Sequence, residues 1–102
     1  MILYSVIVTI QKNIETEWLK WMKEIHIPKV IKTGYFKDWK LQKMIFPADK
    51  ENEMTFRIDY SLSSFEDYQK YLLEYAPKLQ KEHSAKFEGN FNANRMVYLM
   101  EE

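Results

Sequence analysis

Four segments in which large apolar residues recur at every second position constrain the fold of this 102-residue chain more than any other feature. β-Branched and aromatic residues are frequent in these segments, which is typical of strands. The strands are predicted over Ile2–Ile10, Trp39–Phe46, Met54–Leu62 and Phe91–Met100. Residues 47–53 are mostly polar, so the second and third strands are predicted to pair as an antiparallel hairpin.

Two segments with helical periodicity, each interrupted by a proline, connect the strands. The apolar stripe of the first consists of Ile14, Trp18, Trp21, Met22 and Ile25. Pro28 predicts a break or kink at Ile27, followed by a short helical turn that ends at Gly34. The apolar stripe of the second consists of Phe65, Tyr68, Leu72, Ala76, Leu79, His83 and Phe87. Pro77 is expected to begin a second helical segment there, and Gly89 to end it.

The resulting order, β-α-β-β-α-β, predicts an α+β, ferredoxin-like domain over residues 1–102. Right-handed crossovers place both proline-broken helices on one face of a four-stranded antiparallel sheet. Asn13 is predicted to cap the first helix. Ser63 and Glu66 have the spacing of a capping box at the start of the second helix.

Charge and composition exclude several kinds of function. The chain has 15 basic and 15 acidic residues and a net charge of zero, which argues against general binding to nucleic acid or to anionic membranes. It has no cysteine, and its two histidines lack the spacing of a metal site, so no metal and no cofactor are expected. The start of the chain has no signal-peptide pattern and no apolar run is long enough to span a bilayer, so a cytoplasmic protein is expected.

The sheet face that the helices leave uncovered is predicted to be mixed in character. Its centre presents Ser5, Thr9, Arg57 and Asp59, flanked by Leu3 and Ile7. The outer strands add Gln42, Met44, Phe46, Asn94, Met96, Tyr98 and Met100. An exposed apolar patch of this kind usually marks an interaction surface, so we expect a homodimer that packs sheet to sheet and encloses a cavity. The alternative is a monomer with an unusually apolar outer face.

Several motifs along the chain resemble an uncharacterised bacterial family catalogued as a domain of unknown function. They are the segment Trp18–Pro28, Thr33-Gly34-x-Phe36, Ala76-Pro77-x-Leu79, His83, Phe87, Gly89-x-Phe91 and Arg95. The resemblance implies membership of the ferredoxin-like, dimeric α/β-barrel group. That group includes cofactor-independent monooxygenases, haem-degrading proteins and small isomerases, so the resemblance supports the fold and the dimer but specifies no reaction.

His26 is the best candidate for a catalytic residue, because a histidine at a helix end can act as acid or base near neutral pH. The alternative, which we favour, is a partly buried histidine bonded to a carbonyl freed by Pro28. His83 lies on the apolar stripe of the second helix and is interpreted as structural. Arg57 and Asp59, two apart on one strand, are expected either to bind a ligand or to form an ion pair between subunits.

Ser5, Trp21 and Tyr98 complete the predicted ligand-binding set, which also contains His26, Arg57 and Asp59. Arg95 is predicted to point away from the face that carries Tyr98. The leading hypothesis is a homodimer that binds a small apolar or carboxylate-bearing molecule between sheet and helices. The alternatives are a cofactor-independent monooxygenase- or isomerase-like enzyme, and a purely structural interaction domain.

Overall fold

A computed structural model of the protein describes residues 1–101. The strands are β1 (Ile2–Gln11), β2 (Asp38–Lys43), β3 (Glu53–Leu62) and β4 (Phe91–Leu99). The helices are α1 (Glu15–Trp21), α2 (Ile27–Lys32), α3 (Phe65–Glu74) and α4 (Ala76–Lys86). A 3₁₀ turn (Lys12–Ile14) precedes α1, and a π-helical turn (Met22–His26) joins α1 to α2.

The strands form one antiparallel sheet in the order β2-β3-β1-β4. This order confirms the predicted α+β, ferredoxin-like fold. The register sets the two faces of the sheet: Ser5 lies opposite Asp59 and Met96, and its neighbour Val6 lies opposite Ile58 and Arg95. Since successive residues of a strand point to opposite faces, Arg95 faces the helices and Tyr98 faces away, as predicted.

The core lies between the sheet and the helices, and aromatic rings fill much of it. Tyr4 contacts Phe36, Tyr60, Tyr68 and Tyr71 with ring centroids 5.0–6.0 Å apart. At the other end of the core, the ring of the fully buried Trp18 lies 5.0 Å from that of Phe56. Burial of these large side chains provides most of the stabilisation that a domain of this size requires.

The second strand is shorter than predicted. β2 ends at Lys43, the amide of Met44 makes one more bond to the Thr55 carbonyl at 2.9 Å, and the chain then leaves the sheet. Phe46 precedes Pro47, whose ring restricts the residue before it and which has no N–H to donate, so pairing cannot continue there. Ile45 and Phe46 are therefore 88% and 85% exposed.

The predicted helix caps are wrong by one residue or more. Asn13 lies within the 3₁₀ turn, and Ile14 occupies the cap position of α1 without a side-chain bond. Ser64, not Ser63, caps α3, and its hydroxyl accepts a 3.2 Å hydrogen bond from the Asp67 amide. Ser64 is the last extended residue before the helix, with φ −146° and ψ 157°, and a cap residue requires that conformation.

Both predicted apolar stripes shift where the helices are interrupted. Tyr71 is buried in place of Leu72, which is 37% exposed. The reason is that Tyr75 leaves the helical conformation, so α3 and α4 do not share one continuous helical phase. In the first segment the π-helical turn alters the phase in the same way, and Ile25 is 41% exposed. A second helical segment begins near Pro77, as predicted, but its first residue is Ala76 and Pro77 lies in the first turn of α4.

The helix around Pro28 continues where a break or kink was predicted at Ile27. α1, the π-helical turn and α2 follow one another without interruption from residue 15 to residue 32. A proline ring clashes with the carbonyl four residues earlier, here that of Glu24, which lies inside the π-helical turn. The wider turn relieves this clash, so the proline deforms the helix without ending it. Gly34 has φ +87° at the end of this segment, in agreement with the prediction.

Candidate functional site

The sheet separates the residues that the sequence predicted for a ligand site into two groups. Four of them lie on the open face: Ser5, Arg57, Asp59 and Tyr98. The other two, Trp21 and His26, belong to the helical layer on the opposite side. The six residues therefore do not line one pocket.

A small cavity of about 30 Å³ lies between the sheet and the helices, beside His26. This volume holds about two water molecules. The apolar part of its wall comes from core residues: Val6, Met22, Val30, Ile58 and Leu79. The polar part consists of Tyr4, His26, Tyr60, Tyr71, Gln80 and Arg95.

The π-helical turn places His26 at this cavity. The turn widens the helix between Met22 and His26, and both residues line the cavity wall. The His26 ring stacks on Trp21, with ring centroids 5.3 Å apart and an angle of 25° between the planes. π-Helical turns are rare and frequently occur at functional sites, which makes this segment a candidate in its own right.

The His26 side chain makes no hydrogen bond with any part of residues 1–101, and its buried Nδ1 has no partner. The expected bond to a carbonyl freed by Pro28 is therefore absent, because the π-helical turn keeps the helix continuous. Burial lowers the pKa of His26 to about 4; Glu82 opposes this shift, and Arg95 and Lys29 add to it. At neutral pH the ring is uncharged and retains one basic nitrogen.

His83 is held more firmly than His26. Its Nε2 accepts a 2.9 Å hydrogen bond from the Trp18 indole, and its ring lies edge-on to Phe91 at 4.5 Å. Burial lowers the pKa of His83 to about 4, with smaller contributions from His26 and Arg95. These contacts support the structural interpretation of His83 made from the sequence.

Three buried tyrosines, Tyr4, Tyr60 and Tyr71, line the cavity. Burial raises the pKa of Tyr4 to about 12, while the Arg95 guanidinium and the Gln80 amide beside it act in the opposite direction. Burial also raises the pKa of Tyr60 and of Tyr71, so all three stay protonated near neutral pH. Each hydroxyl can therefore donate a hydrogen bond to a bound molecule.

Sequence reasoning left Arg95 and Gln80 out of the site. Arg95 interrupts the otherwise apolar helix-facing row of β4, and Gln80 lies four residues after the buried Ala76 and three before His83. Both signals were present in the sequence. A charged residue in a core-facing row calls for a partner or a cavity, and spacings of three and four place Gln80 on the buried side of its helix.

The open face carries a hydrogen-bonded polar network centred on Asp59. Its carboxylate accepts bonds from Ser5 Oγ at 2.6 Å, Arg57 Nε at 2.8 Å and Gln42 Nε2 at 2.9 Å. Burial alone would raise the pKa of Asp59, but these bonds outweigh it and the pKa is lowered. Arg57 and Asp59 thus pair within the chain, and Ser5 is fully buried beneath them.

The fold and the cavity define a class: a small ferredoxin-like α+β protein with a polar-lined cavity between its sheet and its helices. Residues 1–101 match the family described as Domain of unknown function (DUF4286), and the chain belongs to this family. This match confirms the resemblance noted from the sequence. No curated protein matches the chain.

Solved structures show the same fold at low sequence identity. An ethyl tert-butyl ether d (ethd) family protein from Bacillus halodurans has a TM-score of 0.72 at 14% identity, covering 99% of this chain and 100% of its own. SnoaB, a cofactor-independent oxygenase from Streptomyces nogalater, has a TM-score of 0.70 at 10% identity, covering 99% of this chain and 94% of its own. A dimeric ferredoxin-like protein from an uncultured marine organism has a TM-score of 0.62 at 20% identity, covering 100% of this chain and 98% of its own. At these identities the likeness concerns the fold. Within residues 1–101 no helix is both long and apolar enough to cross a membrane.

Proposed function

We propose that this chain is a single-domain, cytoplasmic protein that forms a homodimer. Each subunit would bind a small molecule in the cavity between its sheet and its helices. The observation that carries the proposal is the wall of that cavity. Buried polar groups normally have hydrogen-bond partners, yet His26 Nδ1 is buried without one, and three tyrosines line the same cavity as His26. A bound molecule would supply partners to the groups that face the cavity.

The open face supports the dimeric part of the proposal. Leu3, Ile7 and Met96 lie half-buried around the Asp59 network, and Tyr98 is 43% exposed. A patch of this kind is commonly buried against another molecule, and two-fold dimers are the commonest assemblies. Arg57 and Asp59 are already paired within the chain. A second copy would therefore pack against an ion pair without net charge that is surrounded by apolar side chains. The dimeric ferredoxin-like neighbour shares this fold.

Light scattering tests the dimer with one substitution on the open face. Ile7→Lys places a charge at the centre of the proposed interface, and we expect the dimer mass to fall to the monomer mass. Leu73→Lys is the matched control, because Leu73 is 84% exposed on α3, in the layer opposite the open face. A wild-type protein that is monomeric at micromolar concentration would contradict the dimer.

Native mass spectrometry and thermal unfolding test the ligand. We expect a small molecule to co-purify, or at least one member of a panel of small metabolites to raise the melting temperature. Gln80→Leu removes an amide at the cavity and should abolish that shift while leaving the unliganded protein folded. A purely structural domain predicts no adduct and no shift.

The second candidate function is a cofactor-independent monooxygenase- or isomerase-like enzyme in which His26 is the base. It is favoured by one observation, the uncharged imidazole that lines the cavity without a hydrogen-bond partner. SnoaB, which shares the fold, is a cofactor-independent oxygenase. Turnover that is abolished in His26→Gln while ligand binding persists would support this candidate; equal turnover in both proteins would contradict it.

A further inference from the structure

We infer that the cavity binds a small organic oxyanion, with a carboxylate group seated among Arg95, Gln80 and the hydroxyl of Tyr4. The inference rests on the proposed function, since it names the chemical class of the molecule that would occupy the proposed binding cavity.

Every polar residue in the cavity wall can donate a hydrogen bond. Arginine donates only, tyrosine hydroxyls and the glutamine amide donate, and a neutral imidazole has one N–H. No aspartate or glutamate lines the cavity. A cavity wall of donors without an acid among them is complementary to an oxygen anion, and unfavourable to a cation.

Arg95 brings a positive charge to the cavity wall. The chain has two arginines, and Arg57 is paired with Asp59 at 2.8 Å. Arg95 forms no ion pair within residues 1–101. Its positive charge instead acts on the pKa of Tyr4, Tyr71 and His26, which places its field inside the cavity.

Other charged groups near His26 do not neutralise Arg95. Glu82 faces His26 from α4, but its carboxylate is bonded to Lys29 Nζ at 2.9 Å. His83 is buried and its Nε2 already accepts the Trp18 indole proton. Arg95 therefore brings a positive charge to the cavity without an ion-pair partner among the described residues, and an anion is the group that would pair with it.

The volume of the cavity limits which part of a ligand can enter it. A cavity of about 30 Å³ accommodates a carboxylate group but not a six-membered ring. Tyr4, Tyr60 and Tyr71 are buried, whereas Arg95 on the edge strand β4 is exposed, so the cavity opens towards solvent on the side of Arg95. The carboxylate would enter from that side, and any larger part of the ligand would lie outside, between α4 and β4.

The test compares propionate with propionamide, which has nearly the same shape but no charge. Each is titrated into the ¹⁵N-labelled protein at constant ionic strength, and backbone amide shifts are followed by NMR. We expect saturable shifts at Val6, Gln80 and Arg95, and an affinity for propionate at least about tenfold above that for propionamide.

Three variants locate the binding. Arg95→Met should weaken propionate about tenfold and leave propionamide unchanged, because it removes a charge-assisted hydrogen bond. Arg95→Gln, which keeps a polar side chain of similar length, is the second variant should the first be poorly folded. Lys70→Met is the matched control, since it removes one exposed positive charge that pairs with Glu66 on α3.

Each outcome decides the inference. Equal binding of both compounds, unaffected by Arg95→Met, overturns the oxyanion and leaves the proposed cavity intact. Shifts confined to the exposed cleft that contains Lys29, Lys32 and Lys78 overturn it as well. If neither compound binds, the carboxylate is wrong; the binding function itself fails only when the metabolite panel and native mass spectrometry also show no ligand.

Discussion

Trp18 and His83, 65 residues apart in the sequence, are joined by a buried 2.9 Å hydrogen bond from the indole Nε1 to the imidazole Nε2. The bond ties α1 to α4 inside the core. It also requires that Nε2 stays unprotonated, because a protonated imidazole has no acceptor. The relationship therefore links the packing of the two helices to the protonation of a histidine.

We expect stability to fall as the pH is lowered from about 7 to about 4.5. Burial lowers the pKa of His26 and of His83 from 6.5 to about 4, so below pH 6.5 the unfolded chain binds protons that the folded chain excludes. The stabilisation is present above the unfolded pKa and is lost as the pH falls towards the folded one. The size is of the order of 3 kcal/mol for each histidine.

Urea unfolding at a series of pH values measures this dependence. The midpoint should fall with pH while the slope stays constant, and His83→Gln should lose about half of the dependence. Asp59 contributes separately, because its lowered pKa places its titration below 3.8. An unchanged midpoint across the histidine range would contradict the buried, neutral state of the pair.

Trp18→Phe should destabilise the fold by about 2–4 kcal/mol, which combines lost packing with an acceptor left unpaired on His83. The control is Trp39→Phe, because Trp39 is 38% exposed on the edge strand and makes no side-chain hydrogen bond within the described residues. Denaturant unfolding monitored by circular dichroism compares the two. Equal losses would show that neither the indole bond nor the burial of Trp18 adds to the stability of the fold.

Asp59→Asn tests the network on the open face. Three side chains donate to the carboxylate of Asp59, and a neutral amide can accept fewer bonds and without charge assistance. We expect a loss of about 1–3 kcal/mol in unfolding free energy, with Asp38→Asn, at an exposed position of β2, as the control. Because the pKa of Asp59 is lowered, its stabilisation should vanish as the pH falls below 3.8, where the variant and the wild type should converge.

The periodicity of the sequence was sufficient to predict the sheet because burial on one face imposes a two-residue period that nothing else in the chain mimics. Ser5, Arg57 and Asp59 were assigned to the correct face in this way. The helices were harder, since a single stripe drawn through Pro28 or Pro77 assumes one continuous helical phase. The phase changes at the π-helical turn and at Tyr75, and Ile27 and Tyr71 are buried where the single stripes had placed Ile25 and Leu72.

The site was predicted only in part for a related reason. His26 was chosen from chemistry and lies at the cavity, whereas Arg95 was judged only by the direction in which it points. Which polar groups share a cavity depends on how two helices cross a sheet, and no spacing in the sequence encodes that distance. A charged residue within an apolar row was the available signal.

Pro28→Ala tests whether the proline imposes the π-helical turn that carries His26. Alanine restores an N–H and removes the clash with the Glu24 carbonyl, so we expect an ordinary helix in which His26 leaves the cavity wall. Its pKa, lowered to about 4 by burial, should rise towards 6.5 in an NMR titration of the imidazole protons.

Pro77→Ala is the matched control, because Pro77 lies in the first turn of α4, where the missing N–H is not needed. A His26 pKa that is the same in Pro28→Ala and in the wild type would mean that packing against Trp21 and His83, rather than the proline, holds the turn in place.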